Sequence, residues 1–294
     1  MGAAGSYSGA AGASGAATHP SGGSPATGGF AGSAGGTGGG AGTAATTEFT
    51  LLFRDEFDSL DSARWQLMTH SWESNLALFS EQAVNVEAGT LVLRLQAAPA
   101  GTLDDTGTPK PYLGAEIRSR DTLTYGRVRA RAKLAAGSAV VSSLVTIYTP
   151  WLADDWNELD IECLGKDATS VQFNSMVYTG PPPVQPVTSS VSPTQDPHLE
   201  ALGFNASADF HVYTIEWTPD AAIFSIDDVP RYTWTANISL MKLPQNVLMT
   251  IWASSSSAWA GPVTDGTVQA SATYDWIELY RYMPLATASS QPAE

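Results

Sequence analysis

Read with a period of two, the stretch Trp156-Asn157-Glu158-Leu159-Asp160-Ile161-Glu162-Cys163 divides into two faces of a strand. Trp156, Glu158, Asp160 and Glu162 fall on one face, and Asn157, Leu159, Ile161 and Cys163 on the other. Same-face neighbours are only about 7 Å apart, so three carboxylates in a row repel one another. Glu158 and Glu162 stand four residues apart, with Cα atoms about 13 Å from each other. Two Glu side chains leaning together can bring their carboxyls to about 5–5.5 Å, the separation that suits a double displacement at a glycosidic carbon. Asp160 lies between them and can hydrogen-bond to either. Its charge is expected to raise the pKa of a neighbour, as a general acid at neutral pH requires. Spacing alone leaves two readings open: a solvent-facing acidic strand, or a catalytic pair. Trp156 on the same face favours the second. So do the nine Trp and ten Tyr of the chain, rings of the kind that stack on sugars. Trp72, Trp151, Trp252 and Trp259 lie in or beside loop-like sequence and are candidates for such stacking; Trp217 and Trp276 sit inside strands and read as core.

Other chemistries have little support. The four His residues, His19, His70, His198 and His211, form no His-x-x-x-His pair. There is no Gly-x-Ser-x-Gly elbow, and glycine pairs near the start belong to low-complexity sequence. The single cysteine, Cys163, rules out an intrachain disulfide and a multi-Cys metal site, and its place on the apolar face marks it as a core thiol.

The elements that must position the carboxylates are strands. Alternation and turn signals predict strands over 51–57, 91–95, 112–120, 125–134, 140–148, 170–178, 210–217, 222–226, 230–234, 247–252 and 272–280. Asp227-Asp228 reads as a hairpin turn. Residues 97–111 and 180–197, rich in Gly, Pro and Thr, read as loops. In 125–134 the cations Arg127, Arg129, Arg131 and Lys133 alternate with Val128, Ala130, Ala132 and Leu134. A phosphate site is conceivable there, but the solvated face of a sheet is the simpler reading. No long segment has a 3.6 period, which points to an all-β sandwich.

Residues 1–47 are almost entirely Gly, Ala, Ser and Thr, with no charged side chain before Glu48, and read as a disordered tether. One domain over 48–284 and a flexible tail over 285–294 complete the expected organisation. The net charge of −15, with 14 Lys and Arg scattered along the chain, argues against nucleic acid and anionic membrane as partners. No apolar run is long enough for a membrane span. The tether fits a secreted or cell-surface protein, and the domain is expected to act as a monomer.

With these residues in place, the chain resembles the family 16 glycoside hydrolases, and most closely the bacterial lichenase-type β-1,3-1,4-glucanases. Glu158-Leu159-Asp160-Ile161-Glu162 matches the catalytic signature in its regular-strand form, and the match continues through Leu164-Gly165-Lys166-Asp167 and Val171-Gln172-Phe173-Asn174. Asp55-Glu56-Phe57-Asp58, Ala115-Glu116-Ile117-Arg118-Ser119, Tyr125-Gly126, Phe210-His211-Val212-Tyr213, Glu216-Trp217 and Tyr274-Asp275-Trp276 extend it over most of residues 50–282. The resemblance implies a concanavalin-like β-jelly-roll with a concave substrate cleft. It implies Glu158 as nucleophile, Glu162 as general acid/base and Asp160 as their assistant, in a retaining endo-β-glucanase acting on β-1,3-1,4- or β-1,3-glucan. Asn75, Glu116, Arg118, Trp156, Asn174, Tyr178, Trp252 and Trp259 would line the cleft. No cofactor is implied for catalysis, but a structural calcium is, with Asp275 as carboxylate ligand and Gly89 as backbone ligand. The chain departs from the lichenase pattern at Asn157, where an acidic residue is usual, and at Ser175-Met176-Val177, which replaces an aromatic-rich segment. Loops 97–111 and 180–197 look like insertions at the cleft ends. Alternatives are a transglycosylase or hydrolase of the same family acting on another β-glycan such as xyloglucan or galactan, and a non-catalytic glycan-binding surface module.

Overall fold

Alternation of small apolar residues with charged ones builds this fold strand by strand. The structure, a computed structural model, describes residues 48–149, 156–180 and 193–284. The expected tether, the expected tail, Trp151 and most of the 180–197 loop lie outside these residues. In chain order the strands are β1 (Phe49–Asp55), β2 (Trp65–Leu67), β3 (Ala77–Phe79), β4 (Val84–Glu87), β5 (Thr90–Ala97) and β6 (Tyr112–Leu123). Then come β7 (Gly126–Lys133), β8 (Val140–Tyr148), β9 (Asn157–Leu164), β10 (Ser170–Val177), β11 (Thr194–Gln195) and β12 (His198–Ala201). The chain continues through β13 (His211–Trp217), β14 (Ala222–Ile226), β15 (Val229–Trp234), β16 (Gln245–Ala253) and β17 (Gln269–Tyr282). The sole α-helix of the described residues is the single turn Ser257–Ala260. No helix among them is long and apolar enough to cross a membrane.

Two layers result, antiparallel except where β3 pairs parallel with β6, and they are joined through β6, which pairs with strands of both. The front sheet runs β2-β6-β16-β8-β9-β10, with β11 and β12 along the far edge of β10. The back sheet runs β4-β5-β17-β7-β13-β14-β15, and β1 lies against β17. Between them Leu159, Ile161 and Cys163 of β9 join one core with Val128, Ala130 and Ala132 of β7 and Ile277 and Leu279 of β17. Burying each large aliphatic side chain contributes about 1.5–3 kcal/mol, so this alternation fixes the register of both sheets. The hairpin turn at Asp227-Asp228 has φ of 50° and 62°, the left-handed pair that a tight two-residue turn requires.

The basic face of β7 is a solvated ladder. Arg127 pairs with Glu216, Arg129 with Glu278 and Asp228, and Arg131 with Asp275. Trp276 is a correction: it is not core. A bulge between Tyr274 and Trp276 turns its ring onto the outer face, with Arg54 4.2 Å and Arg129 5.6 Å from its centroid. Trp217 is fully buried, as expected.

Candidate active site

The front sheet turns the sequence pattern into a grid. On β9, Glu162 lies between Ser143 and Gln172, Asp160 between Val145 and Asn174, and Glu158 between Ile147 and Met176. Continuing across β16 to β6, Ser143 leads to Thr250 and Glu116, and Val145 to Leu248 and Arg118. Val141 leads the other way to Trp252 and Leu164. Glu116, Arg118, Asn174 and Trp252 thus share one face with the three carboxylates. Because strands are about 4.8 Å apart, a flat sheet would hold Glu116 roughly 14 Å from Glu162. The negative charge of Glu116 nonetheless acts on Glu158, which fits a sheet curled around this face.

All three carboxyls on β9 hold protons more tightly than usual. Burial pushes Glu158 up to about 7, while the Trp156 indole N–H, donating to its Oε2 at 2.7 Å, pulls it back toward the charged form. Burial, and then the charge of Glu158, push Glu162 up to about 8. Asp160 is displaced upward by burial first, then by Glu158 and Glu162 on either side. Asp160 lies beside Glu158, and the contact between the two carboxyls favours the proton on Asp160 and the charge on Glu158, although its geometry is loose. Glu162 is raised by burial and by Glu158, and Asp160 is raised in turn by burial and by both glutamates. Of the pair, Glu158 has a hydrogen bond that favours its charged form, from the Trp156 indole, whereas burial and the charge of Glu158 both favour the proton on Glu162.

Glu116 behaves oppositely. Burial would raise it, but His70 Nε2 at 3.2 Å and the Arg118 guanidinium at 2.6 Å hold it below the usual carboxylate range. A fixed anion and a fixed guanidinium therefore lie on the floor beside the reactive carboxyls. His70 was not legible as a cleft residue, because its partner is 46 positions away.

Trp156 is buried, so its ring forms part of the floor, and its defined contact is the hydrogen bond to Glu158. The aromatic wall is instead Trp72, Trp252 and Trp259. Trp72 meets Trp252 at 5.0 Å, Trp252 meets Trp259 at 5.8 Å, and the Trp259 indole donates to Gln172 Oε1 at 3.1 Å. This wall stands on the Glu162 side of the carboxylate row. On the Glu158 side are Met176, from the segment where the chain departs from the lichenase pattern, and Tyr178. Tyr178 lies just past the end of β10, and its backbone N–H donates to Trp156 O at 3.2 Å. Asn75 is fully buried at the bridge to Ser254; its Oδ1 accepts from the Ala77 N–H at 2.8 Å. Asn75 Nδ2, Asn174 Oδ1 and both Asp160 oxygens are buried without a hydrogen bond of ordinary geometry in the protein. Groups of this kind are costly unless a polar ligand or water meets them.

At the residues suggested for calcium, an arginine shares the carboxylate. Gly89 takes a left-handed φ of +73° in the β4–β5 turn, and the pairing of Tyr274 with Leu91 brings that turn near Asp275. The Asp275 carboxylate, however, is held by the Arg131 guanidinium. A cation there would sit against a fixed positive charge, and calcium takes six to eight oxygens. Among the described residues no group of three His, Cys, Asp or Glu side chains could hold a metal ion.

Comparison with known proteins places this geometry in context. The family description "Glycosyl hydrolases family 16" matches residues 72–278. A protein named beta-glucanase from Acetivibrio thermocellus is 30% identical over 240 residues, covering 80% of this chain and 64% of that protein. The chain therefore spans under two thirds of that relative's length. A beta-glucanase from Brevibacillus brevis is 31% identical over 240 residues, covering 79% of this chain and 82% of that one. Among solved structures, a prokaryotic β-1,3-1,4-glucanase (lichenase) from a mouse hindgut metagenome superimposes with a TM-score of 0.65 at 30% identity. It covers 79% of this chain and 99% of its own.

Proposed function

The chain belongs to the family 16 glycosyl hydrolases, and on that premise we propose that it is a retaining endo-β-glucanase cleaving β-1,3-1,4- or β-1,3-glucan. The observation that carries the reading is geometric: Glu158 and Glu162 stand on one face of β9, two positions either side of Asp160, and burial pushes both carboxyls above the usual range. Glu158, ionised and steadied by the Trp156 N–H, attacks the anomeric carbon. Glu162 donates its proton to the leaving glycosidic oxygen, and a glycosyl ester forms on Glu158. Glu162, now a carboxylate, takes a proton from water. The water oxygen bonds to the anomeric carbon, the ester bond breaks and Glu158 is regenerated. Two inversions retain the configuration. Asp160 keeps its proton and therefore adds no third negative charge while the first carboxylate attacks.

The names of the relatives support a β-glucan as substrate. The aromatic wall of Trp72, Trp252 and Trp259 offers stacking surface on the Glu162 side, and Glu116 with Arg118 offers charged partners for sugar hydroxyls. The composition of residues 1–47 supports a secreted or surface-tethered location. The test is to incubate the protein with barley β-glucan, lichenan and laminarin and follow reducing ends and the first anomer released by proton NMR. A β-configured product that disappears in Glu158→Gln is expected. An α-configured first product, or no cleavage of any of the three, would defeat the proposal.

A further inference from the structure

The loop 97–111 between β5 and β6 carries a buried cation, Lys110, only 4% exposed. Its Nζ donates to two backbone carbonyls of one turn, Asn75 O at 2.7 Å and Trp72 O at 2.8 Å. The third neighbour is Asp104 Oδ2 at 3.3 Å. Asp104 is itself fixed, because its Oδ1 accepts from Thr106 N, Thr106 Oγ1 and Thr108 N. The loop is thus a rigid bracket that presents one ammonium group to the turn at Trp72–Asn75.

That turn has a demanding position. Its two carbonyls converge on Lys110, the closest donor to both; the Ser71 hydroxyl stands farther off, at 3.5 Å from Trp72 O and 3.3 Å from Asn75 O, and Trp72 O also accepts from the Asn75 N–H at 3.1 Å. The same turn sets the Trp72 ring, whose indole donates to Ser74 Oγ at 3.0 Å and which meets Trp252 at 5.0 Å and Phe79 at 5.6 Å. Ser74 and Leu76 also hold the β16 end, through Ser255 N to Ser74 O and Leu76 N to Ala253 O.

We propose that Lys110, braced by Asp104, is a positioning residue for substrate: it locks the Trp72–Asn75 turn so that the Trp72 ring stays in the aromatic wall of the cleft. The inserted loop therefore acts on glycan binding without contacting the glycan. The substrate readout rests on the glucanase reading; the geometric readout does not.

The experiment compares wild type with Lys110→Met, Trp72→Ala and the double variant, measuring kcat and KM on barley β-glucan and near-ultraviolet circular dichroism without sugar. Lys110→Met is expected to raise KM about fivefold with kcat within about twofold, the size of one aromatic contact. Trp72→Ala should act in the same way, and the double variant should be no worse than Trp72→Ala alone. The Trp72 contribution to the dichroism spectrum should be lost in both single variants. An unchanged KM and spectrum in Lys110→Met, or KM effects that multiply in the double variant, would overturn the proposal. Should Lys110→Met fail to fold, Asp104→Asn keeps the lysine and loosens only its brace. A KM rise of about twofold to threefold is then expected, and an unchanged KM overturns the proposal. Wild-type protein without turnover on any β-glucan would defeat the glucanase reading, while the dichroism comparison would still decide the role of Lys110.

Discussion

Glu162→Gln should make the protein more stable, and only at high pH. Gln has the shape of a protonated Glu and cannot ionise. In wild type the Glu162 carboxyl is pushed from 4.5 up to about 8 in the folded state, by burial first and by Glu158 second. The native state therefore holds this proton more tightly than the unfolded state does. Stability is undiminished below about pH 4.5, is lost as pH rises through about 8, and is flat above that. A shift of that size corresponds to roughly 5 kcal/mol at most, at about 1.4 kcal/mol per unit. Glu162 is only half-buried at the cleft surface although its carboxyl is strongly desolvated, and it titrates together with Glu158. Solvent screening and coupling reduce the figure to roughly half. For a domain of this size about 2–4 °C accompanies each kcal/mol, so Glu162→Gln should melt roughly 5–10 °C above wild type at pH 9. At pH 5, where wild type already carries the proton, the two should melt together. Calorimetry of both proteins at the two pH values measures this difference directly. A melting difference independent of pH, or a variant less stable than wild type at pH 9, would refute the idea that Glu162 is a destabilised, proton-holding carboxyl.

Three further outcomes follow from the same geometry. Trp156→Phe removes the 2.7 Å hydrogen bond to Glu158, so the acid limb of the kcat/KM profile should move up by about one pH unit; an unmoved limb would exclude the indole as the group that eases Glu158 ionisation. Asp160→Asn copies the protonated state that burial and two carboxylate neighbours impose on Asp160, so both limbs of the profile should stay within about half a unit. A fall of the alkaline limb by a unit or more would mean that Asp160 carries charge and props up Glu162 after all. Chelation with EDTA, or added calcium, should leave the melting temperature unchanged, because Arg131 holds the Asp275 carboxylate; a calcium-dependent rise would contradict that pairing.

The strands that position the site were legible because their signal is local. Alternation in β7 and β9 fixes which residues face out, and the hairpin at Asp227-Asp228 follows from two residues that tolerate a left-handed backbone. Strands β2, β3, β4 and β12 span three or four residues each, too short for a period of two to register. Trp276 escaped because a single bulge reverses the face that alternation assigns. The row of three carboxyls on one face of β9 was legible, yet its burial was not. Spacing along a strand gives the repulsion between carboxylates but not their burial, and burial is the larger cause for each of them. His70 and Lys110 were illegible for a different reason. Each acts on a partner dozens of positions away, and only the closed sheets bring them together.

The distribution of cations explains why the trio can exist at all. The chain has 29 acidic and 14 basic side chains, so it cannot neutralise every carboxylate. On the back sheet the neutralisation is thorough: Glu216, Glu278, Asp228 and Asp275 each meet an arginine. Nearest the trio, Arg118 is engaged by Glu116, with His70 on the carboxylate's other oxygen. None of the ion pairs among the described residues reaches Glu158, Asp160 or Glu162. In a buried site where no described residue supplies a countercharge, the remaining way to lower the electrostatic cost is to bind protons. Three adjacent carboxyls then share fewer charges than their number, and the first to ionise is the one with a hydrogen-bond donor, Glu158 with Trp156. The lack of an arginine beside the trio, together with burial, keeps these carboxyls above the usual range, and the Trp156 donor distinguishes Glu158 from its neighbours. Replacing a front-sheet neighbour of Asp160 such as Val145 with a cation should collapse that order, ionising all three at neutral pH and removing the acid from the pair.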